Sequence, residues 1–192
     1  EPMYVQAQAN PALACHRRGF SDRGIKELRN AIATNPNFAD PYNYMGVIYM
    51  DKKQYTEPEN WFKLALDTYP SYDEAYYNLG VLYNVQNKDK QALDCFVKAT
   101  RINNKHVEAH IAAGWLYLKN GVIKDAEQHF ELAMPDNTEH PRALAGLAMI
   151  DVKKERYEAA IRRYRKALKM DKDQPDAKKG LAEAYKKAPD RL

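Results

Sequence analysis

The sequence lacks long apolar stretches and glycine-rich loops, and it is poor in cysteine. No apolar run approaches the roughly 18–20 residues that a membrane-spanning helix needs. Only eight glycines and two cysteines occur among the 192 residues, and no glycine-rich phosphate loop is present. We therefore expect neither a transmembrane segment nor a phosphate-loop nucleotide site.

The start of the chain gives little information about compartment. No signal sequence is recognisable at Glu1, and the chain also begins without an initiator methionine. The compartment therefore stays open, and a soluble, cytoplasmic protein is the favoured expectation.

Histidines and carboxylates also lack the spacing of known catalytic and metal sites. His106 and His110 are four residues apart, but the stretch HVEAH differs from the zincin motif, whose glutamate directly follows the first histidine. Asp171, Asp173 and Asp176 lack the glycine and the terminal glutamate of a calcium loop. Because no nucleophile, base and orienting acid can be nominated, we expect a protein without catalytic activity, metal or cofactor.

What the sequence does contain is a pattern of small and bulky residues that recurs every 34 residues. The pattern is clearest between Asp73 and Tyr83, and it repeats without insertion from Val5 to Pro175. Position 8 of each copy is small, position 24 is bulky, and position 27 is alanine in all five complete copies (Ala31, Ala65, Ala99, Ala133 and Ala167). Small residues let two antiparallel helices approach closely, and bulky residues fill the space between neighbours.

This period and pattern resemble the tetratricopeptide repeat family, and the resemblance covers nearly the whole chain. It implies an all-α fold, a right-handed α-solenoid of antiparallel helix pairs. We expect a single domain over residues 1–192, because one repeat cannot bury its apolar face alone. The repeats are predicted at about 5–38, 39–72, 73–106, 107–140 and 141–174, followed by a capping helix at 175–192.

Several local signals depart from the regular pattern. Pro11 falls inside the first predicted helix, so that helix is expected to begin near Asn10 or to kink, with residues 1–9 loose or irregular. Capping boxes are predicted at Thr56–Glu59 and Ser71–Glu74, and Pro135 is expected to end its helix early.

Cys15 and Cys95 lie two repeats apart, too far for a disulfide, and are predicted to be buried thiols. Buried thiols fit a reducing compartment.

In this family the first helices of successive repeats line a concave groove, and the resemblance assigns groove positions to this chain. The assigned residues that we single out as a peptide-binding groove are Asn43, Tyr44, Val47, Tyr77, Asn78, Val81, Ile111, Trp115 and Met149. Tyr44, Tyr77 and Trp115 are large amphipathic side chains of the kind favoured as binding anchors. Asn43 and Asn78 carry donors and acceptors that suit a peptide backbone.

Two more specific groove chemistries within the family match poorly. The asparagine ladder of O-GlcNAc transferases and peroxisomal signal receptors places an asparagine at position 6 of successive repeats. In this chain only the first and third repeats have asparagine at that position, Asn10 and Asn78. The carboxylate clamp of chaperone-tail receptors would match this chain only at Asn78. We therefore expect neither a full ladder nor a clamp.

Charge is unevenly distributed along the chain. The net charge is +4, yet the stretch from Lys153 to Lys187 alone contains 13 basic and six acidic side chains. A cluster on one predicted helix, Arg162, Arg163, Arg165 and Lys166, is either a solvated face or a contact face for an acidic partner, RNA or membrane surface. Stacking aromatics do not interleave these charges, so nucleic acid is not the expected partner, whereas peripheral membrane contact remains open.

The function expected from the sequence is a non-catalytic scaffold that binds another protein or a peptide segment in its groove. Two alternatives stay open. One is a self-assembling scaffold, such as the membrane- or organelle-associated coats of the magnetosome type, which would make the chain a homo-oligomer. The other is the recognition domain of a larger enzyme, such as a glycosyltransferase that carries such repeats.

Overall fold

The computed structural model describes residues 12–54, 57–135 and 138–188, and all regular elements in these ranges are helical. Residues 12–17 form α1. The other helices are α2 (Ser21–Thr34), α3 (Ala39–Asp51), α4 (Glu57–Thr68), α5 (Asp73–Val85), α6 (Asp89–Ile102), α7 (Val107–Lys119), α8 (Ile123–Leu132), α9 (Pro141–Lys153), α10 (Tyr157–Met170) and α11 (Pro175–Lys187). The chain divides after Ile102 into an N-terminal unit and a C-terminal unit.

The helix boundaries follow the 34-residue period. The helices α3, α5, α7, α9 and α11 begin 34 residues apart, and each is 13 residues long. Within each unit, the tightest packing joins a first helix to the second helix of the same repeat, as in α3 with α4 and α9 with α10. The predicted all-α fold of antiparallel helix pairs is therefore confirmed, while the single domain over residues 1–192 stays a prediction.

Close packing within and between helix pairs depends on small residues that face aromatic rings. A Cβ atom added to Gly80 would lie 2.7 Å from the ring of Phe96, and one added to Gly114 would lie equally close, 2.7 Å, to the ring of Phe130. Gly146, on the next first helix, also faces the Phe130 ring. The aromatic residue at position 24 therefore fills the space that small residues leave in its own repeat and in the following one.

The turn inside each helix pair requires a left-handed backbone at the same position. Position 15 of the repeats has a positive φ throughout: Gly19 (88°), Lys53 (59°), Asn87 (58°), Gly121 (77°) and Glu155 (57°). Glycine and asparagine tolerate this conformation, whereas Lys53 and Glu155 have a Cβ that it crowds. Gly121, which follows the end of α7 at Lys119, adopts this backbone conformation without strain.

Several local predictions meet different outcomes. The early end of α8 at Leu132, ahead of Pro135, is confirmed. The capping box at Ser71–Glu74 is wrong, because α5 begins at Asp73 after Tyr72 and no side chain caps it. The predictions about Asn10, Pro11 and residues 1–9 lie outside the described residues, as do the Thr56 cap and the last residues of the capping helix, 189–192.

The two cysteines are free but differ in burial. Cys95 is buried, and burial raises the pKa of its thiol to about 11. Cys15 is only partly buried, so the prediction of two buried thiols is right for Cys95 and wrong for Cys15. The thiol of Cys95 is therefore held in its unreactive, protonated form.

The C-terminal unit contains a buried carboxylate at a position where most of the other repeats have tyrosine. Asp151 stands at position 11, and its side chain is 2% exposed. Arg156 Nη2 lies 3.0 Å from its Oδ1, and the Arg163 guanidinium binds its Oδ2. Because both oxygens are paired, the charge at Asp151 is compatible with burial.

Two histidines of the same unit share a hydrogen bond, and both side chains are at least partly buried. His110 Nδ1 lies 3.0 Å from His129 Nδ1, and His110 Nε2 lies 3.2 Å from the carbonyl oxygen of Asn104. A carbonyl only accepts, so His110 carries its proton on Nε2 and its Nδ1 accepts from His129 Nδ1–H. Burial lowers the pKa of both imidazoles, for His129 to about 4.

Replacing Glu155 with glycine tests the cost of the left-handed turn. We expect Glu155→Gly to raise the free energy of unfolding by about 0.5–1 kcal/mol, because relief of the backbone strain exceeds the added chain entropy. Urea denaturation followed by circular dichroism measures the change. The matched control is Glu158→Gly in the first turn of α10, which should lower stability. An equal loss in both variants would contradict the strain at Glu155.

Acid should weaken the C-terminal unit through its histidine pair. The folded pKa values lie below the ordinary value of 6.5, so the unfolded chain binds protons first and stability falls as pH drops from about 6.5 towards 4. The neighbouring charges that also act on this pair are those of His106 and Asp125. We expect His129→Gln to flatten this part of the stability profile, measured by denaturation at several pH values. An unchanged slope between pH 6.5 and 4.5 would contradict the assignment.

Candidate functional site

A cavity in the N-terminal unit brings together several of the predicted groove residues. Its volume is about 340 Å³, which lies in the range of small ligand pockets. The lining residues come from three repeats: Leu13, Arg17, Asn43, Tyr44, Val47, Tyr72, Glu74 and Asn78. Four of the predicted groove residues, Asn43, Tyr44, Val47 and Asn78, therefore share one cavity.

A chain of hydrogen bonds crosses the floor of this cavity. Asn78 Nδ2 donates to Asn43 Oδ1 over 3.0 Å, and Asn43 Nδ2 donates to the Tyr72 hydroxyl over 3.4 Å. The Tyr72 hydroxyl in turn bonds to Asp40, and burial together with this bond raises the pKa of Tyr72. The donors therefore point in one direction, from Asn78 to the carboxylate of Asp40.

This chain corrects the expected role of Asn43. Its side chain is only 3% exposed and both ends of its amide are engaged inside the protein, so it presents no free amide to a ligand. Asn43 instead fixes the orientation of the Asn78 amide. Because Nδ2 of Asn78 donates to Asn43, its Oδ1 is left as an acceptor on the side of the cavity.

The two ends of the cavity carry opposite charge. Arg17 belongs to the C-terminal end of α1, and Glu74 lies in the first turn of α5. Tyr44 lies between them on α3, and burial, followed by the charges of Asp40 and Glu74, raises the pKa of its hydroxyl. The Tyr44 hydroxyl therefore remains a neutral donor in a negative field.

Tyr77 and Val81 lie on α5 but do not line the cavity. Both side chains are partly buried, and the Tyr77 ring packs against Phe96 with ring centroids 5.8 Å apart. Their part in binding stays a prediction.

The predicted groove residues of the C-terminal unit are mostly packed into its core. Ile111 is 0% exposed, so the prediction that its side chain lines a groove is wrong: it fills the space around Phe130. Trp115 packs edge-on against Phe130 with centroids 5.5 Å apart, and its indole nitrogen is buried without a hydrogen-bond partner in the described residues. Met149 packs, partly buried, on the same cluster.

The predicted basic contact face on α10 is largely engaged within its own unit. Arg163 binds the buried Asp151, and Lys166 pairs with Glu139. The Arg165 guanidinium lies over the Tyr185 ring, 5.6 Å from its centroid. Arg162 is exposed and makes no ion pair among the described residues. A contact role for this face stays a prediction.

One hydrogen-bonded series, which was not predicted from the sequence, has the residue types of a catalytic relay. His16 Nδ1 lies 3.0 Å from Ser21 Oγ, and His16 Nε2 lies 2.9 Å from Asp51 Oδ2. In a nucleophile relay the orienting carboxylate is buried, whereas the Asp51 side chain is 54% exposed. We therefore interpret this series as a tie between α1, the start of α2 and the end of α3.

The part of the chain that the structure describes has neither a metal-binding cluster nor a helix that could span a membrane. No group of three or more histidine, cysteine, aspartate or glutamate side chains is arranged there to hold a metal ion. In these same ranges, every helix is too short or too polar to span a bilayer.

Three of the residues that line the cavity were not predicted from the sequence: Leu13, Arg17 and Tyr72. Leu13 and Arg17 occupy positions 9 and 13 of the first repeat, which are the same groove positions that were assigned in the later repeats. Applying those positions to the first repeat would have found both. Tyr72 stands at position 34, outside the groove positions, and only its hydrogen bond to Asn43 reveals it.

Two family models match parts of the chain. A tetratricopeptide repeat model matches residues 73–106, and a second model, described as TPR repeat, matches residues 149–188. No curated protein matches the chain.

Solved structures of other repeat proteins share the fold at low sequence identity. PilF of Pseudomonas aeruginosa aligns with a TM-score of 0.80 at 20% identity, over 93% of this chain and 82% of PilF. YrrB, described as a TPR protein with an unusual peptide-binding site, aligns with a TM-score of 0.70 at 22% identity, over 91% of this chain and 90% of YrrB. MamA aligns with a TM-score of 0.69 at 20% identity, over 88% of this chain and 95% of MamA.

Removing Asn43 tests its place in the hydrogen-bond chain. We expect Asn43→Ala to lower the free energy of unfolding by about 1–3 kcal/mol, because it leaves the partners in Asn78 and Tyr72 without their bonds. Asn78→Ala should cost less, since that side chain is only partly buried. Chemical denaturation of the two variants measures the difference, and the larger loss in Asn78→Ala would contradict the assignment.

Proposed function

Since the chain is a tetratricopeptide repeat protein, we propose that it is a non-catalytic protein-interaction scaffold whose N-terminal unit binds an extended peptide segment. The binding site is the cavity of the N-terminal unit, whose eight lining residues include Leu13 on α1 and Asn78 on α5. The segment lies across α1, α3 and α5, with Tyr44 as its main aromatic contact.

The observation that carries this proposal is the preorganised amide of Asn78. Its donor side is held by Asn43, so the Oδ1 atom is set to accept from a backbone N–H of the ligand. A side chain that is already fixed loses little conformational freedom on binding, which favours affinity. Backbone recognition of this kind suits a segment of varied sequence.

The surroundings of Asn78 provide the apolar contacts that an extended segment needs. Leu13 and Val47 are partly buried side chains on neighbouring first helices, and both line the cavity. The Tyr44 ring adds a large rigid surface with a hydroxyl donor at its edge. Such a mixture of apolar wall and few oriented polar atoms is typical of ligand sites.

Selection of peptides against the full chain tests this function. A random peptide library displayed on phage is selected, and the affinity of the enriched peptides is measured by fluorescence anisotropy. We expect Tyr44→Ala to weaken them about tenfold or more, because aromatic anchors dominate binding energy. Asn78→Ala should weaken them about threefold to tenfold, the effect of one net hydrogen bond.

The matched control is Gln91→Ala, an exposed side chain on α6 that lies outside the cavity. It should leave the affinity unchanged, and circular dichroism of all variants should show the same helix content. Failure to enrich any peptide, or enriched peptides that bind both groove variants like the wild type, would remove the cavity as the binding site.

A further inference from the structure

The cavity of the N-terminal unit has one basic and one acidic end. The basic end is the side chain of Arg17, on α1, and the acidic end is formed by Glu74, on α5. Both helices contact α3: His16 of α1 bonds to Asp51, and Asn78 of α5 bonds to Asn43. A ligand that crosses α3 therefore meets a cation at one end and an anion at the other.

Arg17 is available to a ligand. Its side chain is exposed, it lines the cavity, and among the described residues it makes no ion pair. Two arginines of the C-terminal unit differ from Arg17 in this respect. Arg156 and Arg163 are both paired with the buried carboxylate of Asp151. A planar guanidinium presents several donors in a fork that matches a carboxylate.

The acidic end acts through more than one carboxylate. Glu74 lines the cavity, and Asp40 lies behind the hydroxyl of Tyr72, to which it is hydrogen-bonded. Burial, and after it the charges of Asp40 and Glu74, raise the pKa of the Tyr44 hydroxyl, so both carboxylates act on a side chain that lines the cavity on α3. A positively charged group is therefore favoured on this side and disfavoured beside Arg17.

We propose that the peptide bound in this cavity is dipolar, with an acidic residue placed on Arg17 and a basic residue placed at Glu74. This inference rests on the proposed function and specifies its ligand class. The two charges fix which way the segment runs across α3, because the reversed segment would place like charges together at both ends.

Capped synthetic peptides test the charge requirement. Four peptides share one apolar centre and carry glutamate or glutamine at one end and lysine or glutamine at the other. An extended chain rises about 3.3 Å per residue, so the length of the centre sets the distance between the two charges. The set of four is therefore made twice, once with a centre of about three residues and once with a centre of about five. Affinities for the full chain are measured at low ionic strength and at about 1 M salt, where exposed charges are screened.

We expect the peptide with both charges to bind tightest at low ionic strength. Arg17→Ala should weaken that peptide about fivefold and abolish the preference for glutamate over glutamine, the effect of an exposed ion pair. Arg18→Ala is the matched control, because it removes the same charge from the adjacent exposed residue outside the cavity. Glu74→Gln should abolish the preference for lysine in the same way.

Three outcomes would overturn the inference. They are equal binding of all four peptides, equal losses in the Arg17 and Arg18 variants, and no binding of any of the four. In each case the library selection judges the proposed function separately, because peptides that bind through Tyr44 and Asn78 without charge dependence would leave the cavity as the site.

Discussion

The structure depends on one steric match, the fit of an aromatic ring into the space left by missing side chains. The Phe96 ring lies only 2.7 Å from the position that a Cβ of Gly80 would take, and the Phe130 ring lies equally close to that of Gly114. Interiors are packed as densely as organic crystals, so such a fit fixes how closely two helices approach. Because the same match recurs every 34 residues, helices of equal length begin at equal intervals in both units.

This constraint is why the fold could be predicted from the sequence. Packing at positions 8, 24 and 27 leaves a periodic trace of small and bulky residues, and helix starts at Asp73 and Val107 follow that trace. Individual caps leave no such trace. The Ser71–Glu74 signal resembled a capping box, yet α5 begins at Asp73, one residue later than a cap at Ser71 would require.

The candidate site could be predicted only in part, because one repeat position serves two purposes. Position 6 carries Tyr44 and Asn78 in the N-terminal unit, where both line the cavity. In the fifth repeat the same position is Gly146, and the ring of Phe130 packs against it. The residue type at position 6 is enough to separate a cavity residue from a packing glycine. It could not reveal that Asn43 is buried or that Ile111 belongs to the core, because the burial of both depends on which neighbouring side chain fills the adjacent space.

The cavity draws its chemistry from three consecutive repeats, and this division has a consequence for how specificity can change. The first repeat supplies Arg17, the second supplies Tyr44 with its buried polar support, and the third supplies Glu74 and Asn78. In the proposed complex, exchange of a single 34-residue module would change the contacts of one portion of the peptide, and exchange of the second module would also remove Asn43, which orients Asn78 of the third. New specificities are thus accessible in evolution by shuffling whole repeats, provided that the exchanged module keeps the small residues and the aromatic ring that pack against its neighbours.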